Sequence, residues 1–203
     1  MLPRLLLIAG GSCSGKTTLA EAVAARLDAA QLISMDWYYR DLTGMSISEK
    51  DAHNFDHPSA INHEMLRSHL EKLLNGESIE TPRYDFATHS RLPETVSTTP
   101  EAHLIVEGLH ALWWREIRSL AHTKVFVTLD CGLRLSRRIA RDVKVRGRRK
   151  AAVRDQFEQN VRPMHEAYVE PTRGFADLLI QGDGNVDRLS ETIASFHLSH
   201  FPA

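Results

Sequence analysis

Gly10-Gly11-Ser12-Cys13-Ser14-Gly15-Lys16-Thr17 is the stretch that decides the fold. It satisfies G-x-x-x-x-G-K-[ST], follows a short apolar run at 5–9 and precedes an amphipathic segment at 16–27. That strand–loop–helix setting is the context the motif demands. The glycines let backbone N–H groups converge on phosphate oxygens, and the following helix start adds its positive end. In such a cradle Lys16 reaches the outer phosphates and the Thr17 hydroxyl is a ligand for Mg²⁺. The run therefore predicts nucleoside triphosphate binding. By itself it leaves kinase, switch and motor open.

Outward from the cradle, short apolar runs at 31–34, 103–106, 124–129 and 178–180 read as further strands. Segments 16–27, 132–146, 151–168 and 187–196 read as helices between and after them, with Pro163 expected to kink the third. Strands alternating with helices predict an α/β fold, a mostly parallel sheet of about five strands flanked by helices. The 203 residues fit one domain, large enough to bury its own core without a metal or disulfide staple. The opening apolar run is too short for a signal peptide and stops at a glycine turn, so it reads as a buried strand. No stretch approaches the ~20 apolar residues that cross a bilayer.

A net charge of −1 argues against a broad basic surface for nucleic acid. Cys13 and Cys131, far apart and in no ligand pattern, suit a reducing cytoplasm. Residues 41–100 break the strand–helix rhythm. They hold a convincing helix at 62–75, N-capped by Asn62, amid turn-rich pieces, and read as a substrate-binding flap.

Two carboxylates follow strands. Asp36 lies just past 31–34, at the sheet edge where ligands bind, and is placed either to take a proton from an attacking hydroxyl or simply to serve a turn. Glu107 ends 103–106 before Gly108, as an acidic Mg²⁺ partner of the cradle or a solvated strand end. Arg134, Arg137, Arg138, Arg141, Arg146, Arg148 and Arg149 crowd one stretch, and the i, i+4, i+7 spacing of Arg134, Arg138 and Arg141 puts these three on one helix face. They read as a lid closing over phosphates, against a solvated basic helix paired with Asp142 and Asp155.

These pieces in this order resemble the uridine kinase (uridine–cytidine kinase) family, within the phosphoribulokinase/uridine kinase group. The resemblance runs from Ile8 to about Val186. It rests on the cradle, Asp36-Trp37-Tyr38-Tyr39, Asn54-Phe55-Asp56-His57-Pro58, Pro82-Arg83-Tyr84-Asp85-Phe86 with His89 and Arg91, and Val106-Glu107-Gly108. It continues through Arg137-Arg138-Ile139-Ala140-Arg141-Asp142, Arg146-Gly147-Arg148, Gln156, Pro163 and Ala176-Asp177.

The resemblance implies a P-loop kinase over 1–203, with 41–100 as nucleoside-binding insertion and 141–156 as lid. It implies phosphorylation of uridine or cytidine at the 5′-hydroxyl by Mg·ATP, or Mg·GTP, with Asp36 as general base. Lys16, Arg141 and Arg146 would serve the phosphates, Thr17 and Glu107 the Mg²⁺, and Thr18, Asp183 and Asn185 the rest of the nucleotide. Asp56 and Arg138 would hold the ribose hydroxyls; Tyr84 and His89 would read the base edge, with Phe55 and Phe86 on its faces. Tyr39, Arg148 and Gln156 complete the expected site.

Family members are often oligomeric, and a homo-oligomer is compatible with this chain, although no interface is legible. Trp37 stands where the family has a small residue and is expected to reshape the site behind Asp36. Asn62 replaces an aspartate, and the 182–185 loop is shorter than usual. Two other readings stay open: a related kinase for nicotinamide riboside or a sugar phosphate, and a non-catalytic nucleotide-binding regulator.

Overall fold

Leu5, Leu7 and Ala9 face one side of β1 (Arg4–Gly10) and Leu6 and Ile8 the other, and all five are fully buried. A strand buried on both faces must be covered on both faces, which is the logic of a parallel α/β sheet. The structure, a computed structural model, describes residues 2–46, 49–50, 53–86 and 88–199. Positions 47–48, 51–52 and 87 of the expected insertion, and the terminal 1 and 200–203, lie outside the described residues.

Four strands join β1: β2 (Ala30–Ser34), β5 (His103–Gly108), β6 (Thr123–Thr128) and β7 (Leu178–Gln181). Their order is β2-β5-β1-β6-β7, and each neighbouring pair is parallel. All five carboxyl ends therefore open on one edge. Helices Lys16–Ala24 and Val186–Ser199 cover one face, burying Leu19, Val23 and Ile193 against Leu6 and Ile105. Helix His63–Leu74 covers the other with Leu66, Leu70 and Leu73. Each such side chain contributes roughly 1.5–3 kcal/mol by leaving water. Among the described residues no helix is long and apolar enough to cross a membrane.

The expected sheet strands and helices are all present. Asn62 does cap its helix, its side-chain oxygen accepting the Met65 N–H at 3.1 Å. Pro163 does not break the third helical segment. It lies in the short α-helical piece Arg162–Met164, between π-helical stretches Phe157–Val161 and His165–Val169, whose wider turns accommodate the missing N–H.

The insertion holds an antiparallel hairpin, β3 (Ile79–Asp85) with β4 (Ser90–Thr98). β4 is mostly exposed and polar and carries Pro93 in the irregular stretch between the Pro82–Thr95 and Tyr84–Arg91 pairs. Its pairing with β3 gives it structure that its own periodicity does not signal.

Candidate active site

At β1's carboxyl end the chain turns through residues 11–15 into helix Lys16–Ala24. Gly15, at the helix N-cap, has φ 98°, a left-handed value that glycine adopts without Cβ strain. Cys13 has φ 62° and holds a similar conformation with a side chain. Gly182, after β7, lets two backbones meet: a Cβ there would collide with the Ser14 carbonyl.

The carboxylates lie beside this loop. Thr17 Oγ1 donates to Glu107 Oε2 at 3.0 Å, and Ser34 Oγ donates to Oε1 at 2.8 Å. Lys16 Nζ stands 4.0 Å from Glu107 Oε2. Ser34 also caps the 3₁₀ turn Met35–Tyr38, accepting the Asp36 N–H at 3.4 Å, so one hydroxyl ties Asp36 to Glu107. Asp36 titrates up at about 6, chiefly because it is withdrawn from water and next because Glu107 repels its charge; Lys16 and Arg141 oppose the rise. Burial also raises Asp56, with Arg138 opposing.

A cavity of about 1170 Å³ opens over these groups. Ser12, Cys13 and Gly15 through Thr18 line its phosphate-loop end. Tyr39, Phe55, Tyr84, Phe86 and His89 line the insertion end, with Asp36 and Asp56 also on its wall. Arg138, Arg141, Arg146, Arg148 and Gln156 border it from the arginine-rich segment. The rings interlock: Tyr39 packs on Phe55 at 5.5 Å and Tyr84 at 5.4 Å, and Phe55 stacks on His89 at 4.4 Å. His89 thus covers a face of the ring that the resemblance gives to the nucleobase. Tyr84 is 7% exposed, and its hydroxyl has no hydrogen-bond partner among the described residues.

Other expected residues stand behind the wall. Gly10, Gly11 and buried Ser14 form the loop's back, and Glu107 lies under Thr17. Asp183 and Asn185 do not line the cavity; Gly182, Gly184 and Val186 do. Asn185 instead accepts the Arg188 N–H at 3.0 Å at the start of the last helix. Trp37 packs half-buried against the core and does not line the cavity.

Two contributors, His110 and Lys50, had little sequence signal, and Arg91 entered above only as part of the resemblance. His110, 1% exposed, donates from Nε2 to the Asp56 carbonyl at 3.0 Å, and burial lowers its titration to about 4, keeping it neutral. Lys50 Nζ donates to the Thr88 carbonyl at 2.9 Å and Ser90 Oγ at 3.0 Å, tying the insertion's first segment to the hairpin turn. Arg91 Nη2 donates to the Tyr39 carbonyl at 3.0 Å, fastening β4 to the segment after Asp36. Lys50's neighbourhood to Asn54-Phe55 was the one available hint; a histidine two residues past Gly108 carries none.

Hard oxygen donors at Thr17 and Glu107 beside a phosphate loop fit Mg²⁺, which takes one or two protein ligands and completes its shell with phosphate and water. Among the described residues no group of three His, Cys, Asp or Glu gathers as a closed metal cage, which such a site does not need. Cys13 and Cys131 are free thiols.

Comparison with known proteins places this geometry. The model of the Phosphoribulokinase / Uridine kinase family matches residues 5–188. A uridine kinase of Chloroflexus aggregans is 40% identical over 184 residues, 90% of this chain and 88% of that one. A uridine kinase of Brevibacillus brevis is 39% identical over 195 residues, covering 95% and 91%. Among solved structures, phosphoribulokinase from Rhodobacter spheroides superposes with a TM-score of 0.67 at 17% identity, over 91% of this chain and 74% of that one, a likeness of fold.

Proposed function

We propose, since this chain belongs to the Phosphoribulokinase / Uridine kinase family, that it moves the terminal phosphoryl group of Mg·ATP onto the 5′-hydroxyl of uridine or cytidine. One observation carries the reading: a single cavity runs from the phosphate loop to the Tyr39–Phe55–Tyr84 rings, and Asp36 on its wall is within electrostatic reach of both Lys16 and Asp56. A donor cradle and an aromatic acceptor pocket share one carboxylate.

In this reading residues 41–100 form the nucleoside-binding insertion and 141–156 the lid of a 1–203 kinase domain. Asp36 accepts the 5′-hydroxyl proton as that oxygen bonds to the γ-phosphorus and the bond to the β–γ bridging oxygen breaks, releasing ADP. The raised titration of Asp36 in the protein without ligand suits a group that must take up a proton near neutrality.

Lys16, Arg141 and Arg146 hold charge on the phosphoryl oxygens. Thr17 and Glu107 hold Mg²⁺, which when bound offsets phosphate charge. Asp56 and Arg138 bind the ribose diol, and their mutual electrostatic contact supports this pairing. The Tyr84 hydroxyl, without a partner among the described residues, supports a role on the polar edge of a base, because buried hydroxyls are rarely left without a bond.

The test is initial ADP release by purified protein with Mg·ATP and a panel of uridine, cytidine, nicotinamide riboside and a sugar phosphate. Uridine or cytidine is expected to give the largest kcat/KM. A preference for another member reassigns the acceptor, and no acceptor-dependent release overturns the reading.

A further inference from the structure

Asp142 sits in helix Cys131–Arg146 with its side chain wholly buried, and four guanidinium groups surround it. Arg141 Nε donates to Oδ1 at 2.8 Å, and Arg146 Nε is 3.8 Å from the same oxygen. Arg138 Nε and Arg148 Nη1 stand 3.7 and 3.8 Å from Oδ2. The Asp142 carbonyl accepts the N–H groups of Gly147 and Arg148, so this residue also shapes the turn that carries Arg148. All four arginines border the cavity, whereas Asp142 does not.

The network continues in both directions. Arg138 Nη1 donates to Ser12 Oγ in the phosphate loop at 2.9 Å, and its Nη2 donates to Gln156 Oε1 at 3.1 Å. Arg148 Nη1 donates to the same Gln156 oxygen at 2.7 Å. Like charges so close repel, and a single buried carboxylate offsets that repulsion while fixing each guanidinium's orientation. One contact is incomplete. Arg138 Nε and Asp142 Oδ2 are both buried, neither has a hydrogen-bond partner among the described residues, and 3.7 Å separates them. A shift of under about 1 Å would close that gap into a charge-assisted bond.

We propose that Asp142 is a positioning residue that couples the two halves of the site: an acceptor nucleoside moving Arg138 closes the Arg138–Asp142 contact, and Asp142 in turn sets Arg141 and Arg146 for the donor phosphates. This rests on the reading of the cavity given above. It assigns Asp142 no contact with either substrate.

Isothermal titration of a non-hydrolysable ATP analogue, with and without saturating uridine, tests it alongside initial rates. Uridine is expected to tighten analogue binding to the wild-type protein about 5-fold or more, the lower range of measured site–site couplings. Asp142→Asn removes most of that factor and lowers kcat, while analogue affinity without uridine stays within about 3-fold. Asp142→Glu, which keeps the charge, recovers part of the coupling and guards against a simple folding defect.

No coupling in the wild type, an unchanged factor in Asp142→Asn, or losses that follow the unfolded fraction with no recovery in Asp142→Glu overturn the inference. A wild-type protein that binds the analogue but phosphorylates no nucleoside overturns the reading of the site itself.

Discussion

Helices His63–Leu74 and Cys131–Arg146 bury opposite kinds of face. The first turns Leu66, Leu70 and Leu73 inward and leaves its polar side to water. The second turns Arg134, Arg138 and Asp142 inward and leaves Leu133, Val143 and Val145 exposed. Burying charge is costly unless it is paired and hydrogen-bonded, so the second orientation needs compensation that the first does not. Arg138 has Ser12 and Gln156, Asp142 has its arginines, and Arg134 lies over the Phe157 ring at 5.8 Å. One helix is oriented by the core. The other buries charges that its own partners compensate beside the cavity.

The sharpest way to break this contrast is to remove one inward side chain from each helix. Leu70→Ala, at a fully buried position, is expected to lower stability by about 2–5 kcal/mol in urea unfolding. Arg138→Leu is expected to cost less, under about 2 kcal/mol, because Asp142 keeps Arg141, Arg146 and Arg148 beside it and is not left as an uncompensated buried charge. Its kcat/KM for nucleoside should fall at least ~100-fold, from lost bonds to a charged group. A stability loss in Arg138→Leu as large as that of Leu70→Ala would show that the second helix is also held by packing.

Asp36 extends the contrast to a single carboxylate. Its titration near 6 lies above the ordinary 3.8, so the fold favours the protonated form. The stability contributed by this group is therefore fully present below pH about 4 and is lost as pH rises through about 6. Asp36→Asn should stabilise the ligand-free protein by about 1–3 kcal/mol at pH 7, an advantage that vanishes below pH 4. The same variant should lose at least ~100-fold in kcat with ATP affinity little changed. A stability difference independent of pH would mean that the carboxyl is not held against its charge.

The contrast also explains what could be read before the fold was known. β1, β5 and β6 are built around the short apolar runs 5–9, 104–106 and 125–127, and helix His63–Leu74 repeats leucine at helical spacing behind an asparagine cap, so local pattern and tertiary role agree. The phosphate loop was legible because its backbone geometry demands particular residues. Helix Cys131–Arg146 showed its arginine face, but only the fold shows that this face is buried around Asp142. β4 was missed because an exposed polar strand has no apolar period, and His110 because its bond to the Asp56 carbonyl spans 54 residues. Motif logic names groups that touch a ligand; groups that hold those in place are scattered by topology.

The smallest expected effect tests the outward face of the inverted helix. Val143 is 43% exposed, and valine and serine have similar helix propensity, so Val143→Ser changes neither packing nor backbone preference by much. Its stability should stay within about 0.5 kcal/mol of the wild type in urea unfolding, and its kcat should not move. Full burial of that side chain would instead add about 1.5 kcal/mol or more to the change. A loss of that size, larger as protein concentration rises, would mean that another copy covers the apolar face in solution; the helix would then bury both of its faces, and the difference from His63–Leu74 would lie in which face meets its own chain.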